Sequence, residues 1–182
     1  PRAWLGAARV GLVANPTTVN RGLAHAADLL HRHPEVDLRC LFGPEHGLRG
    51  SAQDMVAVVN EADPATGLPA FSLYGSTLKS LSPTEEQLSQ LDILLFDIQD
   101  IGARYYTYAA TMALCMQSAR LSQVKVVVLD RPNPIGGVAV EGGGLDKGLE
   151  SFCGLYPVPQ RHGMTPGELA RLYNDTFAIG CE

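Results

Sequence analysis

Residues 92–98 read Asp-Ile-Leu-Leu-Phe-Asp-Ile, with four large apolar side chains in unbroken succession. A strand with one wet face alternates apolar and polar residues, so an unbroken run of this length predicts a strand covered on both faces. Two-sided cover is the mark of a parallel sheet whose strands are joined by helical crossovers. The neighbouring sequence agrees. Upstream, Ser82-Pro83-Thr84-Glu85 opens a helix that ends near Leu91, with Ser82 as cap and Pro83 at the first helical position. Downstream, a helix over 105–121 precedes a second buried-strand run at 124–129. Further back, residues 8–14 (ARVGLVA) form a strand closed by Asn15 and Pro16. Asn20 then caps a helix over 21–33, with Leu23, Ala26, Ala27 and Leu30 at helical spacing and Pro34 as its stop. Residues 36–42 form the next strand, a polar stretch runs to about Leu68, and a short apolar run covers 69–73. Past Asp130 the chain is rich in Gly and Pro until Gly163, where Thr165 and Glu168 form a capping box for a last helix over 168–174. The expectation is a three-layer α/β fold with a mainly parallel sheet and helices on both faces.

Composition narrows the function. The chain has 182 residues, 46% hydrophobic and 18% charged, which suits one domain with a sizeable core. A net charge of −5 argues against nucleic acid or an anionic membrane as partner, and no apolar run is long enough for a membrane span. The four cysteines have neither C-x-x-C nor zinc spacing, and Cys40 and Cys115 lie inside apolar segments as buried small hydrophobes. The opening PRAWLGAARV does not form a signal peptide. No dinucleotide glycine fingerprint, P-loop or G-x-S-x-G elbow is present, so no cofactor is expected.

In parallel α/β sheets ligands bind at the carboxyl ends of the strands. Four strand ends here carry polar chemistry, beginning with Asn15 after the first strand. The densest stretch is residues 42–50, FGPEHGLRG, where Glu45, His46 and Arg49 lie in a loop stiffened by Pro44 and tightened by glycines. Such a loop can hold a carboxyl group rigidly over a substrate, as general acid catalysis requires, or it can be a solvated turn. Residues 96–108, FDIQDIGARYYTY, bring Asp97, Asp100, Arg104 and Tyr105. Tyrosine faces suit a sugar ring, and an Asp–Arg pair at a helix start serves structure equally well. Asp130, Arg131 and Asn133 follow the next strand in LDRPNPIGG, and Glu141 lies before a glycine triplet. Arg161 and His162 precede the last helix. A metal site would need His46, His162 and acids to converge, and spacing alone shows no such set; no metal is expected.

Taken together, residues 11–17 (GLVANPT), FGPEHGLRG, FDIQDIGARYYTY, LDRPNPIGG with VEG at 140–142, and residues 155–169 (LYPVPQRHGMTPGEL) resemble the NamZ/YbbC-type exo-β-N-acetylmuramidase family, long known as a domain of unknown function. The match runs in order along nearly the whole chain. The resemblance implies a Rossmann-like N-terminal catalytic domain over 1–182, with the family's smaller C-terminal domain absent. It also implies exo-cleavage of terminal β-linked N-acetylmuramic acid from peptidoglycan fragments, outside the cytoplasm. Glycosidases commonly set two carboxyl groups across the scissile bond. On this basis Glu45 is the general acid/base, and the second carboxyl is Glu141 ahead of Asp100 and Asp97. The lactyl carboxylate of the sugar needs a cation, with Arg49, Arg104, Arg131 and Arg161 as candidates and the first two favoured. The alternatives from other classes are a non-catalytic peptidoglycan-binding module and a metal-dependent hydrolase.

Overall fold

The computed structural model describes residues 5–50 and 61–182; residues 51–60, inside the polar stretch after Gly50, lie outside the described residues. Six strands form one sheet: β1 (Arg9–Ala14), β2 (Asp37–Gly43), β3 (Glu61–Ala62), β4 (Pro69–Ser72), β5 (Ile93–Asp97) and β6 (Lys125–Val128). Their order is β3-β4-β2-β1-β5-β6. All neighbours are parallel except the short edge strand β3, which runs antiparallel to β4. Four α-helices among the described residues pack with them: α1 (Ala26–Arg32), α2 (Glu85–Leu88), α3 (Tyr108–Leu121) and α4 (Pro166–Thr176).

Strand alternation divides the core in two. Val10, Leu12 and Ala14 of β1 face Ala27 of α1, together with Leu41, Ile93 and Leu95. Val13, Phe42, Leu94 and Phe96 face the other way, onto Met112 and Ala113 of α3 and Leu169 of α4. Leu38 and Leu41 share a face despite their odd spacing, because the register with β1 shifts between Val10 and Gly11, so that Arg39 is skipped. The expected fold is therefore found, with helices on both faces. Cys40 and Cys115 are buried, as expected, and burial pushes the Cys40 thiol up to about 12 and the Cys115 thiol higher still.

Several helix starts differ from expectation, each because of a local side-chain bond. Asn20 caps no helix. Its Oδ1 accepts from the N–H groups of Gly22 and Ala24, which holds a turn with Leu23 at φ +60°. Helix α1 begins later, capped by His25, whose Nδ1 accepts from Ala27 N–H at 3.2 Å while Nε2 donates to the Asn15 carbonyl at 3.0 Å. Thr84, not Ser82, caps α2, in a box with Gln87. Helix α3 starts at Tyr108, since residues 103 and 104 pair with 160 and 161 instead of coiling. The box of Thr165 and Glu168 caps α4 as expected.

One ion cluster ties the loop after β2 to both sides of the fold. Arg49 binds Asp63 beyond β3 through Nε and Nη2, each at 2.9 Å, and Asp28 of α1 through Nη1 and Nη2 at 3.2 and 2.7 Å. The Arg49 guanidinium, with help from Thr66, holds the Asp63 carboxyl down at about 2, and it lowers Asp28 as well. A carboxyl lowered by folding stabilises the native state above the ordinary carboxylate range and loses that contribution as pH falls through its folded value. Thermal melts should therefore show stability dropping between pH 4 and 2. Asp63→Asn should lower the pH 7 melting temperature by about 5 °C and flatten part of that acid limb, leaving a remainder from Asp28, still held by Arg49, and from Asp92, which Arg9 holds low. An unchanged acid limb in the variant would place the sensitivity elsewhere.

Candidate active site

The direction in which the sheet grows reverses between β1 and β5: β2 and β4 extend it one way, β6 the other. That reversal is where a parallel α/β sheet opens a crevice at the carboxyl ends of its strands. Here the crevice floor is stitched by the loop after β1. Asn15 is 1% exposed, and its Oδ1 accepts from the N–H and hydroxyl of Thr17. Thr17 accepts in turn from Gln99 N–H, and the Thr18 hydroxyl donates to the Asp97 carbonyl. Asn15 thus joins the ends of β1 and β5.

Glu45 stands at the neighbouring strand end, on a tight turn over 44–47 closed by Gly47 N–H to the Pro44 carbonyl at 2.8 Å. His46 takes φ +68°, a left-handed conformation that the third position of a type II turn demands and that non-glycine residues seldom adopt. Behind the turn, Gly43 is needed because a Cβ there would lie 2.6 Å from the Leu48 backbone nitrogen. The result presents a half-buried Glu45 and an exposed His46 at the rim. The Thr107 hydroxyl donates to Glu45 Oε2 at 3.1 Å, and the Tyr108 hydroxyl reaches the Glu45 carbonyl at 3.4 Å. Tyr106 packs edge-on against Tyr108. Burial pushes the Tyr106 hydroxyl up to about 12, helped by Tyr108 and by the nearby negative charges of Asp100 and Glu45. The start of α3 therefore sits against the Glu45 loop.

The remaining sequence-derived residues fall into pairs. Asp97 binds Arg131 at 2.7 Å, and Glu141 binds Arg161 at 2.6 Å, with Arg161 also donating to the Ile135 carbonyl. Asp100 and His162 are both buried. His162 Nδ1 accepts from Met164 N–H, which leaves its proton on Nε2, 3.4 Å from Asp100 Oδ2. Asp100 Oδ2 also accepts from Gly102 N–H, whereas Oδ1 is buried without a partner. Arg104 donates to the carbonyls of Gly143 and Val158 and meets no carboxylate among the described residues. Asn133 links Ile135 N–H to the Met164 carbonyl, and Tyr105 is exposed. The 550 Å³ groove beside β6 and α4, lined by Val126, Val128, Ala170 and Asn174, takes in Asp130 and none of the other sequence-derived residues. Among the described residues no group of three or more His, Cys, Asp or Glu is arranged to hold a metal ion.

Sequence reasoning missed Thr107. Its position inside FDIQDIGARYYTY was the available signal, but the helix was expected to begin before it.

Known proteins share this sequence and fold. Residues 10–182 match the family described as exo-β-N-acetylmuramidase NamZ, N-terminal. The chain is 50% identical over 174 residues to the peptidoglycan β-N-acetylmuramidase NamZ of Bacillus subtilis strain 168, covering 96% of this chain and 41% of that protein. Two crystal structures of DUF1343 family proteins from Bacteroides fragilis NCTC 9343 share the fold. One has a TM-score of 0.87 at 44% identity and 96% coverage of this chain, the other 0.79 at 36% and 95%, and the match takes in 43% of each of those chains. The chain spans about two fifths of the length of these relatives. It therefore belongs to the NamZ family of exo-β-N-acetylmuramidases, which it matches over the family's N-terminal region.

Proposed function

We propose that the full-length protein releases terminal β-linked N-acetylmuramic acid from peptidoglycan fragments, with Glu45 as general acid/base. The observation that carries this is the Glu45 carboxyl itself, held at the strand-end rim by a strained turn, with one oxygen anchored and no cation paired to it among the described residues. Such a group can protonate the departing glycosidic oxygen and then take a proton from water. The family and the name of the Bacillus subtilis relative support the same chemistry. Because the substrate is cell-wall material, we place the activity outside the cytoplasm. For the second group, geometry favours Asp100 over Glu141 and Asp97. The latter two are held by Arg161 and Arg131, while Asp100 keeps an unpartnered oxygen.

The lactyl carboxylate needs a cation that is not already neutralised. Arg49, Arg131 and Arg161 each face at least one carboxylate; Arg104 faces only carbonyls, three residues before Thr107. We assign the lactyl group to Arg104.

Glu45→Gln in the full-length protein should cut release of N-acetylmuramic acid from a synthetic β-glycoside by about 10²–10⁴-fold with an unchanged melting temperature. Wild-type turnover in that variant would remove Glu45 from the chemistry. A binding module would bind the saccharide yet release nothing even as wild type. Arg104→Gln should raise KM for muramic-terminated substrate at least about tenfold while leaving the slow reaction of N-acetylglucosamine-terminated substrate unaltered. Equal losses on both substrates would show a structural role instead.

A further inference from the structure

Among the described residues three threonines stand at α-helix starts, and they divide in a telling way. Thr84 and Thr165 have extended backbones, and their hydroxyls accept from the N–H groups of Gln87 and Glu168. That is what a capping threonine is for, since the first N–H groups of a helix have no partner within it. Thr107 precedes the longest helix, the 14-residue α3, yet its backbone is already helical (φ −63°, ψ −14°) and its side chain makes no capping bond. Its hydroxyl instead donates to Glu45 Oε2 at 3.1 Å, a residue 62 positions away. The local benefit of a cap, commonly about 1 kcal/mol, is forgone at this one position.

We infer that Thr107 is a positioning residue for Glu45: its hydroxyl fixes Oε2 and so assigns proton transfer to Oε1, which has no partner among the described residues. The inference rests on Glu45 being the general acid/base. A carboxyl free to rotate presents either oxygen at any angle. One anchored by a hydrogen bond is preorganised, which matters because proton transfer depends steeply on geometry. The Tyr108 hydroxyl on the Glu45 carbonyl steadies the backbone of the same residue, so side chain and main chain are referenced to one helix start. The titratable groups around this carboxyl are His46 in its own loop and Tyr106 and Tyr108 opposite, with Asp100 behind Tyr106.

The test compares Thr107→Val and Thr107→Ser in the full-length protein, alongside Glu45→Gln. Valine keeps the shape and removes the donor. It should lower kcat about tenfold with KM unchanged, since the donor that orients the carboxyl is lost. The melting temperature should stay as in the wild type, because no cap is broken. Serine restores the hydroxyl and should recover most of the rate. Wild-type kcat in the valine variant, or a serine variant as impaired as valine, would overturn the assignment. If Glu45→Gln is inactive and Thr107→Val is normal, this inference alone fails. If Glu45→Gln is fully active, the reading of the site fails with it.

Discussion

The structure depends first on burying both faces of β1 and β5. Leu12, Val13, Leu94 and Leu95 are at most 1% exposed and alternate between two separate cores. Each such side chain gains roughly 1.5–3 kcal/mol from leaving water, so a sheet covered on one side only would forfeit half of that. Cover on both faces requires α1 on one side and α3 with α4 on the other, and parallel strands reached through them. All five parallel strands then end at the same rim. The site is a consequence of that geometry: polar chemistry is excluded from the strands and gathers where they emerge.

At the rim most charges are answered by others. Arg49 holds two carboxylates, Arg131 holds Asp97, and Arg161 holds Glu141. These pairs join loops that would otherwise be independent, and Arg49 in particular anchors the Glu45 turn to α1 and to the segment after β3. What stands out against this background is the small set of groups left open: Glu45 with one hydroxyl on one oxygen, Asp100 with a buried bare oxygen, and Arg104 bound only to carbonyls. Unanswered polar groups cost free energy where they are buried, and they persist where a ligand completes them.

The place of Glu45 at the rim was legible because its signal is local: a carboxylate in a Gly-Pro-Glu-His-Gly turn directly after a strand. The arginines were not separable by the same means. Arg49 looked like a substrate ligand through closeness in sequence to Glu45, yet closeness along a turn says nothing of which way a long side chain extends, and Asp63 and Asp28 claim it. Helix starts were misplaced for a related reason. Asn20 has the chemistry of a cap but spends it on its own turn, while His25, a poor cap by propensity, is recruited because its ring also reaches Asn15.

The sequence by itself determined the α/β architecture, the both-face-buried strands, the capping box at Thr165 and the clustering of acids at strand ends. All of these follow from periodicity and turn chemistry over fewer than a dozen or so residues. Only the tertiary structure decided which charge answers which, where α3 begins, and that Thr107 serves Glu45 rather than its own helix. Those outcomes join residues 14 to 62 positions apart, as in Arg49 with Asp63 and Thr107 with Glu45. A hydrogen bond or ion pair forms within about 3 Å or not at all, and no one-dimensional spacing encodes that distance until the sheet has brought the strand ends together.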